Sequence, residues 1–299
     1  MKPLLFLLGP AGKKSPEYRA EEQEIFRCLS QRAARGEKCL AVTGTSWNSD
    51  TEVRVLRYCK EQGIPSISIL DYWGNYKSRF RLGEQYFFPD YYFVMDRIAA
   101  EGAMEDGCPR DAIRIVGQPG LDVYVKKRLE PSRNRKLLFL SQPLSAIYEK
   151  EVLGYTEFDA MEGLVKAAAS LGYRVGVKFH PKESAEMRER YASLEVDGDL
   201  LEVVSNYEAV VGMSTMGLLQ CALMGIPVIS YQPNLRGEDF CITNKLKITE
   251  GAFSYQQLCA QVERLKQRKS VRPDEDSLIW LDGKSTERCV EAIYSIGGI

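Results

Sequence analysis

The sequence predicts an α/β protein of two domains, each built on a parallel sheet. Two observations carry this. Short apolar runs alternate with amphipathic stretches along nearly all of the 299 residues, which is the pattern of strands joined by crossover helices. The alternation breaks once, at the charged, proline-bearing and aperiodic segment 122–136 (DVYVKKRLEPSRNRK), and then restarts. Such a break reads as a linker. At ~150 residues per domain the length also fits two domains, and either half is long enough to bury a core.

In the first half, PLLFLLG (3–9) reads as a strand. A helix over 15–36 follows, with Ser15 as cap, Pro16 in the first turn and Gly36 at the end. KCLAVTG (38–44), PSISILD (65–71) and DYYFVMD (90–96) are strands, separated by a helix over 49–63 and followed by one near 97–106. AIRIVGQPG (112–120) adds a strand and a turn. In the second half KLLFLSQP (136–143), YRVGVKFH (173–180), LLEVV (200–204), YEAVVGM (207–213) and IPVISYQP (226–233) read as strands. Helices are predicted over 157–172, 183–192 and 214–225, and near 254–268 and 285–296. Parallel sheets covered on both faces give two Rossmann-like domains facing each other across a cleft, near 1–122 and 123–299. A return of the last helix to the first domain stays open.

Composition narrows the function. Lys and Arg total 40 against 41 Asp and Glu, a net charge of -1, so no global field favours nucleic acid. The eight cysteines (Cys28, Cys39, Cys59, Cys108, Cys221, Cys241, Cys259 and Cys289) form no C-x-x-C pair. They are expected to be reduced thiols, and no metal site is expected. The apolar run Leu4–Leu8 is shorter than the ~7–15 residues of a signal peptide core, and no stretch approaches the ~20 residues of a membrane span. A cytoplasmic protein is expected, with contact to the inner face of the membrane left open.

In open α/β sheets ligands bind beyond the carboxyl ends of strands, so residues just after strands are the site candidates. His180, the single histidine of the chain, ends the strand 173–180, and Pro181 stops the ladder. A histidine there can donate to phosphate oxygens, with Lys178 and Lys182 beside it; it can equally be a histidine that merely closes a strand. Ser214 is placed as the N-cap of the following helix with Thr215 in its first turn, which makes a ready anion seat, and Gly217 permits close approach. A plain capped helix is the plainer reading of the same residues. Ser141 and Gln142 end the first strand of this half and are positioned to reach the same place.

The combination of Lys178-x-His180-Pro181, Ser214-Thr215 opening a helix, and Gly225-x-Pro227-Val228 resembles the carboxyl-terminal domain of GT-B-fold glycosyltransferases with HP and Ser/Ser-Thr motifs. These include bacterial sialyltransferases and CDP-glycerol glycerophosphotransferases, and the wider likeness extends to the UDP-N-acetylglucosamine 2-epimerases. LDGKSTERCVEAI (281–293) is similar to the final helix of that superfamily, and IRIVGQPGLD (113–122) to its interdomain strand and turn. The likeness covers most of 110–295; the first half shares only the fold.

The resemblance implies a nucleotide-activated donor, UDP-, CMP- or CDP-linked, as substrate and no resident cofactor. Lys178, His180, Ser141, Gln142, Ser214, Thr215 and Gly217 would bind donor phosphate, and His180 would stabilise the departing nucleotide. The family's acidic base motif is not clearly present. Asp71, a strand-end carboxylate opening the aromatic run DYWGNYKSRF, is the candidate base; a turn-initiating aspartate is the plainer reading. Gly12, Gly44, Thr45 and Ser46 are placed on the acceptor side.

The expected activity is metal-independent transfer of a sugar unit to a glycan or lipid-linked acceptor in surface polysaccharide biosynthesis. The alternatives are a nucleotide-sugar epimerase or hydrolase of the UDP-GlcNAc 2-epimerase type, and a non-catalytic nucleotide sensor. GPAGKKS (9–15) has only two residues between its glycines and fails the P-loop pattern. DGD (197–199) reads as a turn, and no G-x-S-x-G elbow occurs.

Overall fold

The computed structural model describes residues 18, 20–46, 49–267 and 282–298. The expected strand 3–9 and Gly12 lie outside them. The chain divides into two compact units, Met1–Asp122 with Asp276–Ile299, and Val123–Glu275. No described helix is long and apolar enough to cross a membrane.

The first unit runs α1 (Glu22–Ala34), β1 (Ala41–Thr43), α2 (Thr51–Gln62), β2 (Ser66–Ile69), β3 (Arg81–Leu82), β4 (Gln85–Tyr86), β5 (Tyr91–Val94), α3 (Arg97–Glu105) and β6 (Ile113–Ile115). Strands β1, β2, β5 and β6 form one parallel sheet in that order. Helix α2 buries Val53, Val55, Leu56 and Cys59 and ends on Gly63 in the left-handed conformation, as its amphipathic pattern and terminal glycine require. The small antiparallel hairpin β3–β4 was not anticipated. Its turn is only Gly83-Glu84, with Gly83 at φ 63°, and its two-residue strands are too short to show a period of two.

The second unit runs β7 (Lys136–Leu140), α4 (Glu157–Leu171), β8 (Arg174–Lys178), α5 (Ala185–Arg190), β9 (Ala209–Gly212), α6 (Met216–Leu223), β10 (Val228–Ser230) and α7 (Tyr255–Arg264). Its sheet is parallel in the order β10-β9-β7-β8. Leu137, Leu138, Phe139 and Leu140 are all buried, which explains why β7 reads as a continuous apolar run with helices over both faces. Leu140 lies opposite both Lys178 and Gly212, so β7, β8 and β9 end level with one another.

The expected strand 200–204 is instead a helical turn, Leu200–Val203, continued as a 3-10 turn to Asn206. Asp199 caps it, its Oδ1 accepting from the Leu201 N–H at 2.9 Å. A short apolar run does not distinguish strand from helix, and here the cap decides.

Helix α8 (Ser285–Gly297) belongs to the first unit. Its Cys289 joins Ile67, Phe93 and Val116 in one buried cluster. Its amino terminus is held by Asp122, whose Oδ1 accepts from Ser285 N–H at 3.1 Å and whose Oδ2 accepts from Thr286 N–H and Oγ1, both at 2.7 Å. Burial alone would raise the Asp122 carboxyl, but the bonds from Thr286 and Ser285 outweigh it and hold the group below the ordinary carboxylate range.

All eight cysteines are free thiols. Burial pushes Cys59 up to about 11 and Cys108 up to about 12, so both are protonated at neutral pH.

Asp122→Ala is expected to cost about 2–3 kcal/mol of stability in urea denaturation at pH 7, a cap and a buried charged hydrogen-bond acceptor being lost together. Because the folded carboxyl lies below its unfolded value of ~3.9, its contribution is complete above that value. It disappears as the pH falls through the lower folded value. Asp122→Asn should lose that component of the pH dependence.

Candidate functional site

In the second unit the candidates gather at the level ends of β7, β8 and β9. Ser141 and Gln142 follow β7 directly. Their side chains go to opposite neighbours, as consecutive residues leaving a strand do. The Ser141 hydroxyl donates to the Glu183 carboxylate in the turn after β8. The Gln142 Oε1 accepts from the Ser214 N–H after β9 at 2.9 Å. With its carbonyl committed, the amide Nε2 of Gln142 has no hydrogen-bond partner among the described residues.

His180 is exposed. Its Nδ1 accepts from the Lys182 N–H at 3.1 Å, so in the neutral ring the proton sits on Nε2. Its carbonyl accepts from Glu183 N–H and from Arg188 Nη2, both at 2.9 Å. Lys178 does not stand free beside it: the ammonium donates to the Gly198 carbonyl.

Thr215, rather than Ser214, is the N-cap of α6, and its Oγ1 accepts from Gly217 N–H at 3.2 Å. The helix starts one residue later than the serine-first reading because Ser214 is drawn to Gln142. Gly217 is buried, and a Cβ there would lie 2.5 Å from Leu140 Cδ1. The close approach it permits is between α6 and the end of β7.

Two features of this unit were missed. Glu183 is buried, with 8% of its surface exposed, and only its spacing of three from His180 hinted at a turn. After β10, Asp239 accepts from Gln232 Nε2 at 2.7 Å, Cys241 N–H at 2.8 Å and Asn244 Nδ2 at 2.7 Å. This network fixes the polar loop 233–240, which from sequence is merely a loop.

In the first unit, Asp71 follows β2 with its side chain 65% exposed, against 4% for its partner Arg79. The Arg79 Nη1 donates to Asp71 Oδ1 at 2.7 Å and to the Thr45 carbonyl at 2.5 Å, and Nε donates to the Gly74 carbonyl at 3.3 Å. Thr45 Oγ1 also donates to Asp71 Oδ1 at 3.3 Å. The aromatic surround expected for Asp71 is therefore replaced at Oδ1 by a guanidinium, and Oδ2 has no partner among the described residues. Thr45 is buried in this cluster, and the Ser46 hydroxyl donates to Glu52. Among the described residues, a Cβ on Gly44 would meet only Glu52 Oε1, at 4.0 Å. Among the described residues no group of three or more His, Cys, Asp or Glu is arranged to hold a metal ion.

Two units, each with a Rossmann-like parallel sheet covered by helices, define an α/β protein of the two-domain class. No protein-family model matches the chain, and a search of the curated proteins finds no match. Solved structures do match its fold. The UDP-GlcNAc 2-epimerase of Methanocaldococcus jannaschii, in complex with UDP-GlcNAc and UDP, aligns over 92% of this chain and 79% of its own, with a TM-score of 0.58 and 15% identity. The Neisseria meningitidis UDP-GlcNAc 2-epimerase, bound to UDP-GlcNAc, aligns over 92% and 82% with a TM-score of 0.57 and 10% identity. The Anabaena protein HepE, in complex with UDP-glucose, aligns over 98% and 85% with a TM-score of 0.56 and 10% identity. At these identities the likeness establishes the fold. The narrower resemblance to sialyltransferases and CDP-glycerol glycerophosphotransferases rests on motifs alone.

Gly217→Ala is expected to destabilise the protein by about 1–3 kcal/mol in chemical denaturation, since the added methyl meets the packed Leu140 side chain. Gly217→Ala with Leu140→Ala should recover part of that loss; no recovery would show that the contact is not what requires a glycine.

Proposed function

We propose that the protein is an enzyme acting on a nucleotide-sugar of the UDP-N-acetylhexosamine kind, and that it converts the nucleotide-sugar itself, as an epimerase or hydrolase does. The observation that carries the reading is the donor set at the ends of β7, β8 and β9. Gln142 Nε2 and His180 Nε2 have no hydrogen-bond partner among the described residues, and α6 starts just after β9 with the positive end of its dipole there. In this reading donors from three level strand ends serve one anion, which suits a diphosphate. A nucleotide leaving a sugar gains negative charge, and fixed donors stabilise that charge more in the transition state than in the ground state. The fold neighbours solved with UDP-GlcNAc or UDP-glucose support the nucleotide, and those named as UDP-GlcNAc 2-epimerases support conversion.

In this reading Lys178 acts through the Gly198 loop and not on phosphate. Asp71, held at Oδ1 by Arg79 and open at Oδ2, serves as the carboxylate that exchanges a proton with the sugar. Transfer to a glycan or lipid-linked acceptor is the second reading, favoured by the Lys-x-His-Pro and Ser-Thr pattern.

Incubation with UDP-GlcNAc, followed by NMR of sugar and nucleotide, separates the readings. Isomerised sugar or free UDP without an acceptor supports conversion. UDP release only with an acceptor supports transfer, and binding without turnover supports a sensor. His180→Ala is expected to weaken UDP binding at least about tenfold by calorimetry, and unchanged binding would remove the site. Gln142→Glu keeps the acceptor for Ser214 N–H but puts a carboxylate oxygen where Nε2 donates. It should leave the protein folded and weaken UDP by about tenfold or more, whereas a purely structural Gln142 predicts near wild-type affinity.

A further inference from the structure

Four contacts make the loop after β8 more specific than a strand end. His180 and Glu183 close a turn over Pro181 and Lys182, with Glu183 N–H donating to the His180 carbonyl at 2.9 Å. Proline at the first central position of such a turn presets its backbone. Within the turn, Lys182 N–H holds His180 Nδ1 at 3.1 Å. The Glu183 side chain then folds inward: one oxygen accepts from the Ser141 hydroxyl and the other from Ser184 N–H at 3.1 Å. Both partners of that bridge are buried, Glu183 to 8% and Ser141 to 4% exposure.

A buried carboxylate is costly unless hydrogen bonds compensate it, and here two do. Here it joins the histidine turn to the segment that leaves β7 and also carries Gln142. The carboxylate is acceptor-only, so it cannot swap roles with the serine, and the turn is held in one orientation. Arg188 closes the far side of the turn, donating to the His180 carbonyl at 2.9 Å with its guanidinium over the Phe179 ring at 5.1 Å.

We propose that Glu183 is a positioning residue for His180: through Ser141 it fixes the Pro181–Lys182 turn, so that the imidazole is held at Nδ1 and presents Nε2–H. This deepens the function proposed above and rests on it for the link to nucleotide. The positioning itself is tested without any ligand.

The chain contains one histidine, so the untagged 299-residue chain labelled with 15N-histidine gives one imidazole in a long-range proton–nitrogen spectrum. Wild type is expected to show the Nε2–H tautomer. Glu183→Ala and Ser141→Ala are each expected to release the ring into averaging tautomers and to weaken UDP binding about tenfold. The double variant should lose no more than either alone, because both act through one contact. Glu183→Gln retains one carbonyl acceptor for Ser141 and should recover most of the wild-type spectrum. Circular dichroism confirms that each variant is folded, and Ser141→Ala carries the test if Glu183→Ala is not. An Nδ1–H tautomer in wild type overturns the proposal, as do folded Glu183→Ala and Ser141→Ala proteins with wild-type imidazole signals. If Glu183→Ala releases the ring while His180→Ala leaves UDP affinity unchanged, the positioning stands and the nucleotide reading falls.

Discussion

The end of β7 is the constraint on which the second unit depends. Ser141 and Gln142 are adjacent in sequence and reach opposite ways, one to the turn that follows β8 and the other to the turn that follows β9. Parallel strands ending in register bring these turns level, but register alone leaves loops free to move. Two side-chain bonds from one strand remove that freedom on both sides. Every candidate donor is then referred to a backbone that is itself buried on both faces, the kind of support a precise site requires.

The first unit solves a similar problem with charge. Arg79 is almost wholly buried, and its guanidinium ties the loop after β1, through the Thr45 carbonyl, to Asp71 after β2. A buried guanidinium without such partners would be costly. The planar fork lets one side chain serve a backbone carbonyl and a carboxylate together, which a lysine would do less well. A second aspartate, Asp96, links loop and helix in the same unit. Its Oδ2 accepts from Trp73 Nε1 at 2.9 Å and its Oδ1 caps α3 through Ala99 N–H at 2.8 Å. The long segment 71–80 is therefore stapled at both ends rather than trailing from the sheet.

Much of the fold was legible in the sequence because it rests on local patterns. Buried runs such as 137–140, the Thr156 cap of α4 and the glycines at 63 and 172 each announce their element. The run 200–204 did not, since five residues carry too little period to distinguish strand from helix and the cap that decides it lies outside the run. Strand-end position placed Ser141, Gln142, His180, Ser214 and Thr215 at the carboxyl end of one sheet, where the structure also has them. What position leaves open is the direction of each side chain. Lys178 turns to Gly198, and Gly217 serves packing against Leu140. Arg79 and Glu183 escaped attention for a related reason: their partners, Thr45 and Ser141, are 34 and 42 residues away, and no pattern along the chain records such pairings.

The grouping of α8 with the first unit has a consequence in time. The first unit is discontinuous, closing only when Ser285 and Thr286 meet Asp122 across 163 and 164 residues of chain. The second unit is a single uninterrupted segment. Domains fold as units while the chain is being synthesised, and the usual order is amino-terminal first. Here the first unit stays incomplete during synthesis, the Ile67–Phe93 cluster lacking Cys289, until the whole segment of the second unit has emerged.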